Sequence, residues 1–136
     1  MKKILFTIAT LCLCTISSLA QESTYFRDYT IEPDEDYENV HVIKLSEDSL
    51  MSTFLIWVKN HVPLHKHEFH TENVFVLNGS GTMKIGEEEK EIKVGDMVFI
   101  PKNTKHSVTV TSESPLKVIS VQSPIFLGKD RIFIEE

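Results

Sequence analysis

The stretch His65-Lys66-His67-Glu68-Phe69-His70-Thr71-Glu72 crowds metal-ligating side chains into eight residues. His65 and His67 stand two apart, and Glu72 follows five residues later. If the pair lies on one strand, both imidazoles leave on the same face, because strand side chains alternate with period two. Two imidazoles on one face with a carboxylate nearby form a transition-metal donor set. By itself a His-x-His pair is better explained by a polar loop with spare histidines. The glutamate, and a fourth partner further along, turn the balance toward metal.

That partner comes from the stretch Gly95-Asp96-Met97-Val98-Phe99-Ile100-Pro101-Lys102-Asn103-Thr104-Lys105-His106. Gly95-Asp96 can turn the chain into a strand, and Pro101 ends it because proline donates no ladder hydrogen bond. Asn103 tolerates the left-handed backbone that a tight turn requires. His106 then opens the next strand. Alone, His106 reads as a surface or core histidine. His70 sits inside the spacer of the first stretch. An imidazole titrates near neutrality, which suits a general acid or base at a cavity mouth; the plainer expectation is an exposed loop residue. His41 and His61 have no chemical partner in the sequence and are expected to be structural.

The segments that must position these residues read as short strands. Val40–Leu45, Met51–Lys59 and Glu72–Leu77 are apolar or alternating. Thr82–Ile85 and Lys90–Val94 alternate on either side of Gly86-Glu87-Glu88-Glu89, a hairpin signal with Met83, Ile85, Ile92 and Val94 on one side. Val98–Ile100, Val108–Val110 and Leu116–Val121 continue the pattern, and no segment keeps a helical period over ten residues. Many short, evenly spaced strands predict an all-β sandwich or barrel. Trp57, Phe54, Phe75 and Phe99 are expected in its core, with one of them free to line a cavity.

Residues 1–20 stand apart. Lys2 and Lys3 precede an apolar run, and Ser18-Leu19-Ala20 closes it with small residues where a signal peptidase reads, predicting cleavage after Ala20 and a secreted or periplasmic protein. The run is shorter than the ~20 residues of a spanning helix. A lipoprotein leader fits less well, because Cys12 and Cys14 each follow a leucine. Removing the leader takes two lysines and no acid, moving the net charge from −6 to −8. It also takes both cysteines, so the mature chain has no disulfide, thiolate ligand or thiol nucleophile. The acidic balance argues against nucleic acid and against anionic membrane surfaces as partners. The rest divides into an irregular acidic arm over 21–39, a barrel over 40–123 and a C-terminal edge strand over 124–136. In that last segment Ile125–Leu127 and Arg131–Ile134 are apolar.

Taken together, the two chemical stretches resemble the cupin superfamily. Its first motif is matched by His65, His67, Glu72 and Gly79, and its second by Gly95, Pro101 and His106. Asn103 stands where the family usually has glycine, Val110 where it has asparagine, and Lys59 where a glycine often precedes the first motif. The resemblance covers about residues 40–123. It implies a single jelly-roll β-barrel with the irregular N-terminal arm outside it. It also implies a divalent metal on His65, His67, Glu72 and His106. Imidazole and carboxylate suit Fe, Mn, Ni, Cu or Zn alike. The expected function is a metal-dependent enzyme acting on a small oxygenated molecule, dioxygenase-like or isomerase/lyase-like. The alternatives are a non-catalytic module binding a sugar or other small metabolite, and a metal-free jelly roll. Cupins often pair through sheet edges, so a homodimer is expected.

Overall fold

The computed structural model describes residues 26–135. The leader and its cleavage point lie outside those residues, as does the start of the acidic arm. Alternation of apolar and polar residues builds ten strands: β1 (Val40–Glu47), β2 (Ser52–Val58), β3 (His61–Lys66), β4 (Thr71–Asn78), β5 (Ser80–Ile85), β6 (Glu88–Lys93), β7 (Met97–Ile100), β8 (His106–Val110), β9 (Leu116–Ser123) and β10 (Ile132–Phe133). They form two five-stranded sheets, ordered β1-β2-β9-β4-β7 and β10-β3-β8-β5-β6. Every pairing is antiparallel. This is an all-β fold of two antiparallel sheets.

The pleat decides which residues meet between the sheets. On β4, Glu72, Val74 and Val76 are buried and Phe75 points away. Their register partners on β9 are Gln122, Ser120 and Val118, so these share the inner face. Val58, Met83, Ile92, Ile100, Val108 and Leu116 complete most of the inner apolar cluster. The predicted hairpin is β5-β6, with Ile85 opposite Glu88 and only Gly86-Glu87 between them. Val94 does not join its apolar side. It lies past the end of β6 and is 59% exposed.

The aromatic residues need correction. Trp57 is buried, but on the outer face of the first sheet, since its neighbours Ile56 and Val58 line the interior. There Glu32 of the N-terminal arm covers it, accepting from the indole nitrogen at 3.1 Å and from the Lys117 ammonium at 2.6 Å. Phe75 and Phe99 are 42% and 55% exposed, again because the pleat turns them outward. Phe54 packs edge-on against Phe126. None of the four lines the cavity that holds His65, His67 and His106; Phe133 of β10 does.

Two turn positions matter for the site. Gly79, at φ +76°, carries the chain from β4 to β5, and a Cβ there would meet the Pro115 carbonyl at 2.8 Å. Asn103 adopts φ 62°, the left-handed conformation its short polar side chain tolerates.

Candidate metal centre

Three separate elements deliver the donors. His65 ends the buried run of β3, and His67 lies one residue past that strand. Glu72 enters on β4, and His106 opens β8, where its backbone pairs with His65. All four are buried: His65 4%, His67 2%, Glu72 6% and His106 3% exposed. The three histidines offer ligand atoms within 4.8 Å of one another. Glu72 Oε2 stands 3.6 Å from the Nε2 atoms of both His67 and His106. That distance is too long for a hydrogen bond, and it is within ion-pair range only where a ring is protonated.

Hydrogen bonds settle which ring nitrogen faces the centre. His65 Nδ1 donates to the Pro63 carbonyl at 2.8 Å, and His106 Nδ1 to the Thr104 carbonyl at 3.0 Å. His67 Nδ1 donates to the Asp130 carbonyl. A carbonyl only accepts, so each Nδ1 carries the hydrogen and a neutral ring presents its lone pair at Nε2. The Nε2 atoms of His67 and His106 are buried without a hydrogen-bond partner. Burying such an atom unpaired costs about 1–3 kcal/mol. Two of them facing one carboxylate fit a divalent cation. The cluster of three histidines and Glu72 is thus consistent with a metal ion.

The charges are arranged to match. For Glu72, burial pushes the pKa up, but His106, His67 and the Ser120 hydroxyl outweigh it and hold the carboxyl well below the usual range. For His67, burial pushes the pKa down, and the pull of Glu72 and the Asp130 carbonyl reverses this, leaving it raised. Burial, joined by the charges of His106 and Arg131, lowers His65 to about 4. Ser120 donates to Glu72 Oε1, and Gln122 reaches the same oxygen at 3.4 Å. One oxygen of Glu72 is thereby tied to β9 while the other faces the histidines.

Three supporting residues escaped sequence reasoning. Ser120 and Gln122 had a signal: they are polar at alternate positions of a strand whose inner face is otherwise apolar. Asp130 had none. Its carboxylate accepts from the backbone N–H groups of Glu68 and Phe69, both at 2.9 Å, and from His70 Nδ1 at 2.5 Å. His70 is therefore not an exposed loop residue. It is 7% exposed, its Nε2 meets the Ile125 carbonyl at 3.0 Å, and it does not line the cavity. It clamps the loop and does not face a ligand. His41 makes a tilted contact with Tyr37 and an edge-on contact with Trp57, and His61 is exposed at the start of β3.

Beside the cluster lies a cavity of about 180 Å³ between the sheets. Its wall is mostly apolar, from Val58, Val74, Ile100 and Val108 among others, and the exposed residues Arg131 and Phe133 also line it.

A family model for the cupin domain matches residues 53–122. The chain belongs to the cupin superfamily. This cupin is 36% identical over 104 residues to an uncharacterised protein of Aquifex aeolicus, covering 76% of this chain and 85% of that one. It is similar to the quercetin 2,3-dioxygenase of Bacillus subtilis, at 37% identity over 60 residues, covering 44% of this chain and 18% of that one. It is also similar to an oxalate-binding protein of Thermotoga maritima, at 33% identity over 60 residues, covering 44% of this chain and 50% of that one. This cupin therefore spans half or less of the length of these two relatives. A double-stranded β-helix protein from Klebsiella pneumoniae superposes on it with a TM-score of 0.68 at 17% identity, covering 85% of this chain and 100% of that one. That likeness shows the fold.

Proposed function

We propose that this cupin holds one divalent transition metal on His65, His67, Glu72 and His106 and turns over a small oxygenated molecule in the adjoining cavity. The observation that carries this is the pair of buried, unpartnered Nε2 atoms on His67 and His106, each fixed by a hydrogen bond on the far side of its ring. A bound metal would supply Lewis-acid or redox chemistry. The chain's residues do the rest. Backbone carbonyls orient the three rings, and Ser120 and Gln122 aim Glu72. The apolar walls exclude water and strengthen the electrostatics inside.

The reaction is dioxygenase-like or isomerase/lyase-like. The similarity to the B. subtilis dioxygenase supports the former. The cavity limits substrate size, since roughly 150 Å³ is enough to hold benzene. A cavity of about 180 Å³ suits one ring or a short chain better than a multi-ring molecule. The similarity to the T. maritima oxalate-binding protein favours a second reading, in which the same cavity binds a small metabolite without turnover.

Metal analysis of tag-free protein is the first test. Below about a tenth of an equivalent after reconstitution, the metal reading fails, because a buried three-histidine site should bind well above that. Fe(II)-loaded protein should then consume oxygen with a catechol or a small keto acid. No uptake, beside tight binding of an unchanged ligand, would favour the binding module. A leader cleaved after Ala20 would put this chemistry outside the cytoplasm, and N-terminal sequencing of the purified protein tests this: a chain starting at Gln21 supports it and one starting at Met1 removes it. The homodimer belongs to the same reading. Met97 and Phe99 of the outer strand β7 are exposed beside Phe75, and sedimentation velocity tests whether a second copy covers them.

A further inference from the structure

The C-terminal segment brings a cation to the cavity as well as a clamp to the loop. Arg131 immediately precedes β10, whose register sets Ile132 against Lys66 and Phe133 against His65. This places Arg131 level with His67, and Arg131, exposed to solvent, is among the residues that line the cavity, so it stands at the cavity's rim. Several other cations are committed elsewhere: Lys59 to Asp36, Lys66 to Glu68, and Lys117 to Glu32. Among the described residues, no carboxylate lies in ion-pair contact with Arg131. The adjacent acid, Asp130, is turned away and filled by two backbone N–H groups and His70. Glu72, the carboxylate on the cavity wall, is taken up by Ser120, His67 and His106.

The cavity therefore pairs an apolar interior with a solvent-exposed guanidinium at its rim that no carboxylate of the described residues occupies. A guanidinium presents donors in a planar fork that matches a carboxylate with two parallel hydrogen bonds. We infer that Arg131 is an anion anchor, and that the cavity takes a small carboxylate whose apolar body, about one ring in size, lies between the sheets. This deepens the function proposed above by naming the ligand class. It rests on that reading only in taking this cavity as the ligand site.

The test compares benzoate with benzamide, which share shape and differ in charge. Binding is measured by titration calorimetry on the full mature chain, metal-loaded and metal-free, with metal content assayed in each sample. Wild-type protein should bind benzoate at least about tenfold more tightly than benzamide, the factor expected of a charge-assisted pair over a neutral one. Arg131→Gln should abolish that preference while metal content and melting temperature stay as in wild type. Arg131→Lys, which keeps the charge and loses the fork, should recover part of it. Equal binding of the two probes by wild type, binding of neither, or a preference that survives Arg131→Gln overturns the anchor. Failure of metal uptake would sink the metal reading alone. In that case an Arg131-dependent preference in metal-free protein still supports the anchor, and its absence there overturns it.

Discussion

The Asp130 carboxylate accepts a hydrogen bond from His70 Nδ1 at 2.5 Å across 60 positions of chain. The same carboxylate closes the Glu68 and Phe69 N–H groups, and the Asp130 carbonyl orients His67. One residue of the C-terminal segment thus holds the loop that carries the first motif and fixes a ring inside it. Asp130→Ala should lower stability by about 2–4 kcal/mol, as several shielded donors lose their acceptor. Metal affinity should fall by roughly 10–100-fold, the usual effect of losing an outer-shell partner. Urea unfolding and a competitive metal titration measure the two. A wild-type metal affinity in this variant would show that the clamp is structural only.

His106→Ala should do more to the metal and less to the fold. The residue opens β8 and donates only to Thr104, so the strand pairing survives its loss. Metal affinity should drop beyond the roughly 10–100-fold of an outer-shell change, with the far-UV circular dichroism unchanged. Unchanged metal occupancy would remove His106 from the site.

The metal-free protein should lose stability on the acid side. His65 titrates near 6.5 unfolded and about 4 folded. Between those values the unfolded chain binds the extra proton, so stability falls as pH drops through that window. Glu72 acts in the same direction lower down. Its contribution is complete above its ordinary value of 4.5 and lost as pH falls toward its depressed folded value. His67 acts in the opposite direction. Its contribution is complete below 6.5 and fades as pH rises through its raised folded value. Melting temperatures across this range should show the acid limb, and His65→Gln should flatten the part between about 6.5 and 4.

Gly79→Ala tests the turn behind the first motif. The new Cβ would meet the Pro115 carbonyl and the Ser112 hydroxyl at 2.8 Å, at a backbone φ of +76°. Left-handed backbone alone costs an L residue about 1–2 kcal/mol, and the backbone clash adds to it. A midpoint shift in urea of less than about 1 kcal/mol equivalent would mean that the turn relaxes.

Metal uptake near neutrality should release protons. His67 holds its proton above the ordinary imidazole range, and a metal must displace it. Calorimetry in buffers of different ionisation enthalpy counts them. Proton-independent uptake would mean that His67 is already neutral before the metal arrives.

Strand content and the cluster of His65, His67, Glu72 and His106 were legible in the chain itself. Alternation reports burial directly, and motif spacing reports which donors travel together. Which way each imidazole points was not legible, because its tautomer is set by a carbonyl that for His67 lies 63 positions away. Phe75 and Phe99 show the same gap. Their hydrophobicity argues for the core, yet strand parity gives the inner face to Glu72, Val74 and Val98, and both rings turn out. The clamp at Asp130, the anchor at Arg131 and the burial of His70 arise only when β10 pairs with β3. A local pattern carries the period of a strand and the chemistry of a motif. It carries no record of which distant segment closes over them, since that choice is made by the summed packing of two sheets.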